Sequence, residues 1–170
     1  MSTQLSHTET SFKKESFPLI LICDGIASPA NMGALFRLCD AMGVEELLVS
    51  NTSIDLSSKR LQKTARNTQN HINFSEIDSM DETLNKFCSK GYHIQILEIS
   101  SKSRPISKWQ LDANAKGVVW VIGNEQRGVS SGLLNQVSEH YHIPMYGRNS
   151  SMNVVQATAI ALYESTKQFI

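Results

Sequence analysis

The sequence predicts an α/β domain with a mostly parallel sheet and helices on both of its faces. Two observations carry that expectation. Runs such as 18–24 (PLILICD) and 117–122 (GVVWVI) are apolar throughout. They lack the every-other-residue polarity of a strand with one wet face, as buried parallel strands do. Between such runs lie segments with helical spacing of apolar residues, and that alternation is the signature of βαβ units.

Taken in order, residues 18–24 form the first strand, which ends in an acidic turn at Asp24. Residues 31–43 follow as a helix. Leu35, Phe36, Leu38, Cys39 and Met42 make its apolar stripe, Asn31 is available as its cap, and Gly43 stops it. Strand 46–50 leads to a basic helix at 57–67 and a short strand at 71–74. Helix 78–90 ends at Gly91, and strand 93–99 comes next. Residues 117–122 are the clearest buried strand. Helix 129–137 has Ser130 or Ser131 as a possible cap. Pro144 ends a last strand at 141–143, because proline removes a ladder donor. The final helix covers 152–169, with Ser151 as a candidate cap.

At 170 residues the chain reads as one domain, residues 17–170, behind a disordered tail at 1–16. It is 41% hydrophobic and 19% charged, ordinary for a globular protein. Sixteen basic and sixteen acidic residues give zero formal charge. That argues against strong non-specific nucleic-acid binding, which needs many phosphate contacts. Local clusters offset this. Lys59, Arg60, Lys63 and Arg66 fall at helical spacing, and Lys102, Arg104 and Lys108 share a loop-like segment. Cys23, Cys39 and Cys88 have no metal-ligand spacing and read as buried thiols in a reducing compartment. His7, His71, His93, His140 and His142 form no metal pattern either. His140 and His142 share a strand face, with a structural or solvent-facing role expected. There is no signal-peptide core and no apolar stretch long enough to span a bilayer. The expectation is a cytoplasmic protein without a metal or a membrane partner.

Several common chemistries are missing. No Gly-x-Gly-x-x-Gly follows the first strand, no Walker lysine motif occurs, and there is no Gly-x-Ser-x-Gly elbow. Polar clusters instead follow strands or open helices, where an open parallel sheet presents ligand loops. The first is Asn31-Met32-Gly33 with Arg37, an arginine on a helix that otherwise reads as largely buried. Such an arginine must pair with a carboxylate or face a cleft. The second is Gly123-Asn124-Glu125 with Gly128. The third is Ile143-Pro144-Met145, then Tyr146-Gly147-Arg148, then Ser151-Met152-Asn153. Taken singly, each reads as a helix cap, a tight turn or a structural ion pair.

In this order and at these separations, the clusters resemble the three signature motifs of the SpoU/TrmH branch of the SPOUT RNA methyltransferases. The resemblance covers the chain from about Phe17 onward. It departs from the common pattern at Asn124, where a small residue is usual, and at Val154-Val155-Gln156-Ala157. The segments Cys-Asp-Ala-Met-Gly-Val and Lys-Thr-Ala-Arg look closer to members acting on the tRNA D-loop guanosine or on rRNA. The length resembles the minimal wobble-base members.

The resemblance implies a C-terminal trefoil knot and S-adenosylmethionine as cofactor. It implies ribose 2′-O-methylation of tRNA or rRNA and a homodimer with its active site near the subunit interface. It places Asn31, Arg37, Glu125, Ser151 and Asn153 at the reacting ribose. Leu97, Glu98, Ile99, Gly123, Ile143 and Met152 fall at the cofactor. The expected RNA track is Arg60, Lys63, Arg66 and Arg148. The competing reading is an RNA-binding or scaffolding protein that keeps the fold without catalysis. Intact Arg37, Glu125, Ser151 and Asn153 count against it, because a binding module does not need all four together.

Overall fold

The computed structural model describes residues 2–6, 9–10 and 12–170. His7 lies outside them. The described residues before Phe17 carry no helix or strand. From Phe17 the chain runs β1 (Phe17–Asp24), α1 (Pro29–Ala41), β2 (Val44–Ser50), α2 (Lys59–Ala65), β3 (Asn73–Glu76), α3 (Met80–Ser89) and β4 (Tyr92–Leu97). It continues through β5 (Arg104–Pro105), β6 (Gly117–Gly123), α4 (Ser131–Gln136), β7 (Glu139–His142) and α5 (Val154–Thr166). The strands form one seven-stranded sheet in the order β3-β2-β1-β6-β4-β7-β5, and every named pairing is parallel.

Both faces of the sheet are covered. Leu19, Leu21 and Cys23 of β1 point into one core, which receives α1, α2 and α5. Ile20 and Ile22 point into the other, which receives α3 and α4. Continuous apolar strands are the direct consequence, because neither side meets water. Trp120 of β6 is fully buried, and its indole N–H donates to the Ser165 hydroxyl at 2.8 Å, tying α5 to the sheet.

The chain reaches β7 last among the strands, yet β7 lies between β4 and β5. The β4–β5 connection is fastened around it. The Glu98 N–H donates to the Tyr141 carbonyl at 2.9 Å. Ser100 Oγ meets His140 Nδ1 at 2.8 Å, and Ser103 Oγ meets His142 Nδ1 at 2.9 Å. The chain enters β7 from α4 on one face and leaves toward α5 on the other. That passage beneath the 98–103 connection agrees with a trefoil knot, an exception to the general rule against threaded loops.

Several local expectations need correction. Ser28, not Asn31, caps α1: its hydroxyl accepts from the Asn31 N–H, and Pro29 opens the helix with a preset φ. Asn153, not Ser151, caps α5, with its Oδ1 accepting from the Val155 N–H at 2.9 Å. Helix α2 stops at Ala65, because Arg66 and Asn67 both adopt left-handed backbone, so Arg66 leaves the helix face shared by Arg60 and Lys63. The strand expected at 71–74 lies at Asn73–Glu76, and the last strand begins at Glu139 rather than 141. Cys88 is exposed, although Cys23 and Cys39 are buried as expected.

Candidate functional site

The three polar clusters meet at the C-terminal ends of β1, β6, β4 and β7. Glu125 is the hub. It projects from the 124–128 loop after β6, and its carboxylate faces the start of α1. Oε1 accepts from the Ser28 N–H at 3.2 Å and from Asn31 Nδ2 at 2.9 Å, while Oε2 accepts from the Ala27 N–H at 3.3 Å. Asn31 Oδ1 in turn accepts from Asn153 Nδ2 at 3.2 Å. Because Ser28 caps the helix, the Asn31 side chain is released for this bridge between the first, second and third clusters. Partial burial pushes the Glu125 carboxyl upward, but the Asn31, Ala27 and Ser28 donors outweigh it, so its pKa lies below the usual value. A carboxylate held this way is a weak base. It organises the site and faces the positive end of α1.

The loop carrying Glu125 is itself fastened from several sides. Asn124 and Gly128 exchange backbone hydrogen bonds of 3.0 and 2.9 Å. Asn124 Nδ2 donates to the Gly25 carbonyl at 2.6 Å, and its Oδ1 accepts from the Gln126 and Arg127 N–H groups. The departure at Asn124 therefore shapes this turn. Buried Asp24 accepts from Asn51 Nδ2 at 2.7 Å and from the Ser130 N–H at 2.9 Å. The acidic end of β1 was visible in the sequence, but its partners 27 and 106 residues away were not.

Beside the hub opens a cavity of about 630 Å³. All six residues expected at the cofactor line it: Leu97, Glu98, Ile99, Gly123, Ile143 and Met152. Asn31, Glu125, Ser151 and Asn153 line it too. His142, Met145, Val154 and Ala157 line it as well; the sequence assigned none of them to the cofactor, although Met145 lies in the third cluster and Val154 and Ala157 in the segment that departs from the common pattern. The backbone of 144–151 makes no hydrogen bond to another described residue. Its N–H and C=O groups remain available to a ligand, and buried ligand sites depend on such groups for orientation. Cavity size, a lining that mixes apolar and polar side chains, and free backbone all fit an S-adenosyl group.

Two glycines admit close approach of backbone from elsewhere in the chain. A Cβ on Gly33 would fall 2.3 Å from the Leu61 carbonyl and 2.1 Å from Thr64 Oγ1, so this glycine lets α2 lie against α1. A Cβ on Gly123 would fall 2.1 Å from both Gly128 C and Val129 N. Gly123 lines the cavity, but what demands glycine there is the 124–128 loop folded back over it.

The remaining expected residues lie outside the cavity. Arg37 is exposed, is not among the lining residues, and has no hydrogen bond or ion pair with a described residue. The expectation that it pairs with a carboxylate or faces this cleft is not met within one protomer. Arg60, Lys63, Arg66 and Arg148 are also exposed and outside the cavity. Arg104 is committed to Glu139 and donates to the Tyr141 hydroxyl at 2.7 Å, so the loop-like basic segment loses its central cation. No group of three potential metal ligands occurs among the described residues, and none of their helices is long and apolar enough to cross a membrane.

Comparisons with known proteins agree with this geometry. The family model of the SpoU rRNA Methylase family matches residues 18–163. The tRNA (guanosine(18)-2′-O)-methyltransferase of Aquifex aeolicus is 28% identical over 168 residues, covering 99% of this chain and 78% of that protein. A 23S rRNA (guanosine-2′-O-)-methyltransferase of Blochmanniella floridana is 28% identical over 158 residues, covering 92% of this chain but only 60% of its own length. The chain thus spans about three fifths of that second relative. The crystal structure of the A. aeolicus TrmH/SpoU tRNA modifying enzyme superposes with a TM-score of 0.77 at 28% identity, covering 91% of this chain and 77% of that one. An AdoMet-bound rRNA methyltransferase from Sinorhizobium meliloti shares the fold at a TM-score of 0.81 and 21% identity, covering 94% of this chain and 59% of that one. With the family model matching all but the chain's two ends, and with its three polar clusters joined at one cavity, the chain belongs to the SpoU rRNA methylase family.

Proposed function

We propose that the chain transfers the methyl group of S-adenosylmethionine to a ribose 2′-hydroxyl of RNA, with tRNA preferred over rRNA. The observation that carries this is the Asn153–Asn31–Glu125 chain of hydrogen bonds at the mouth of the cavity. It joins residues 94 and 122 positions apart in sequence beside the cavity, and that junction supports an acceptor site there. The Aquifex relative's action on tRNA guanosine supports the tRNA preference.

Methyl transfer from a sulfonium is an in-line displacement, and the cofactor supplies the activated methyl when bound. The chain's residues have two tasks, which are aligning the hydroxyl oxygen and stabilising the alkoxide that develops as its proton leaves. Asn31, Asn153 and Ser151 present amide and hydroxyl groups for alignment. Arg37 stabilises the oxyanion, while water or an RNA phosphate takes the proton. Glu125 holds the amide pair in place.

Two further elements belong to this reading. The protein acts as a cytoplasmic homodimer. Helices α1 and α5 pack together, and α5 exposes Ile160 and Tyr163, which a second copy would cover. Exposed Arg37 lies on the same helix pair, so dimerisation can complete the site. Arg60 and Lys63 on α2, which Gly33 seats against α1, provide an RNA track with Arg66 and Arg148. Replacing Arg60 and Lys63 with Glu should weaken tRNA binding and lower the salt slope by about one unit per lost phosphate contact. Filter binding across salt concentrations reads this. Wild-type binding by the double variant would remove α2 from the path.

The deciding experiment offers the purified protein labelled S-adenosylmethionine with unmodified tRNA and rRNA transcripts, and maps any 2′-O-methyl group. Methylation of a ribose is the expected result. Cofactor binding with RNA binding but no transfer would favour the non-catalytic scaffold.

A further inference from the structure

We propose that Glu98 makes the cavity selective for the charge of its ligand, so that it favours a cationic sulfonium over the neutral thioether left after transfer. The inference rests on the S-adenosylmethionine reading above and deepens it. Among the described residues lining the cavity, the ionisable side chains are Glu98, Glu125 and His142, and none is lysine or arginine. The two carboxylates are held differently. Glu125 is engaged by three donors at the positive end of α1, which offsets its charge within the wall.

Glu98 sits on the 98–103 connection after β4 and accepts only from backbone N–H groups. These are Ile99 to Oε1 at 2.8 Å and Val129 to Oε2 at 3.1 Å. A carboxylate has about four acceptor positions, so two remain. No described cation pairs with it. Gly128 lets the carboxylate lie directly against the 124–128 loop, since a Cβ there would fall 2.5 Å from Oε2, and the positive φ of 67° separately favours glycine. The two amides fix the carboxylate in place before any ligand arrives. A fixed charge in a partly closed site stabilises an opposite charge without reorganising.

The ligand's charge changes during the reaction. S-Adenosylmethionine carries a sulfonium, an ammonium and a carboxylate, a net charge of +1. On transfer the S–CH₃ bond breaks and its electron pair stays on sulfur. The O–CH₃ bond forms, and the hydroxyl proton leaves. S-Adenosylhomocysteine is therefore net neutral. An uncompensated carboxylate in the wall holds the first more strongly than the second, and so favours product release.

Glu98→Gln keeps the shape and removes the charge. The new amide group also disturbs one of the two backbone hydrogen bonds, but that disturbance acts on every ligand alike. Calorimetry with three ligands separates the effects: S-adenosylmethionine, S-adenosylhomocysteine, and sinefungin, in which a protonated amine replaces the sulfonium. The variant should bind both cations about tenfold more weakly. It should bind the neutral product within about twofold of wild type, well under the tenfold step of ~1.4 kcal/mol. Equal weakening of all three would make Glu98 a positioning residue for the Val129 loop and overturn the proposal, as would no change in any. If the wild-type protein bound none of the three, the cofactor reading would fall and this inference with it.

Discussion

Gly123→Ala is expected to destabilise the protein by roughly 3 kcal/mol or more, although it adds a single methyl group. The methyl carbon has no room. It would lie 2.1 Å from two backbone atoms of Gly128 and Val129, and backbone cannot rotate aside as a flexible side chain can. The 124–128 loop must lift. In doing so it strains the Val129 bond to Glu98, the Ser130 bond to Asp24, the Asn124 bond to Gly25 and the Glu125 contacts with α1. For a chain of this length the change corresponds to a fall in Tm of about 10 °C. Gly132→Ala is the control. Nothing lies within 4 Å of a Cβ there, and alanine is the better helix former by about 1 kcal/mol, so that variant should be neutral or slightly stabilised. Thermal denaturation of the two variants side by side decides the matter. If Gly123→Ala melted like wild type, the loop would not be packed against β6 as described.

The same glycine shows where sequence reading stops. Gly123 after an apolar run marks a strand end that needs close approach, and that much is legible. What approaches is not, because Gly128 and Val129 fold back onto it through the Asn124–Gly128 bridge, which no local pattern announces. Gly33 is parallel: the spacing Asn-x-Gly marks a special position, but its partner is α2, whose Leu61 lies 28 residues on. Strands β1 and β6, at the centre of the sheet, were legible because burial on both faces leaves them apolar up to Asp24 at the end of β1. Strand β5 was not, since two residues, Arg104 and Pro105, cannot show a period. The caps of α1 and α5 were misplaced because each helix start offers a serine and an asparagine within three residues. The choice between them is made by Glu125 and Asn31, which belong to other parts of the chain. The resemblance names ten of the seventeen cavity-lining residues; the others lie in the 124–128 loop, at His142 and Met145, and in the first turn of α5. His142 escaped because a histidine on a short strand carries no ligand signature, and its Nδ1 partner, Ser103, lies 39 residues away in sequence.

Arg37→Ala is expected to lower the single-turnover methyl-transfer rate by about 10²–10³-fold, the usual cost of losing an oxyanion donor. Affinity for S-adenosylmethionine and the melting temperature should not move. The reason is its placement. Arg37 is exposed, holds no partner among the described residues, and does not line the cavity, so neither the fold nor the cofactor depends on its charge. Arg37→Lys should not restore the rate, because a single ammonium does not reproduce the planar fork of donors. Its position on the α1–α5 pair adds a second test. If Arg37 works in a site completed by a second copy, Tyr163→Glu should break the dimer through the exposed face of α5 and lower the rate to a similar extent. It would do so without altering any side chain of the cavity. Sedimentation reads the assembly, and single-turnover kinetics reads the step. A dimer-deficient variant with full activity would confine the whole site to one protomer. A near-normal rate for Arg37→Ala would remove this arginine from the chemistry and leave the Asn31–Asn153 amides as the groups that must orient the ribose.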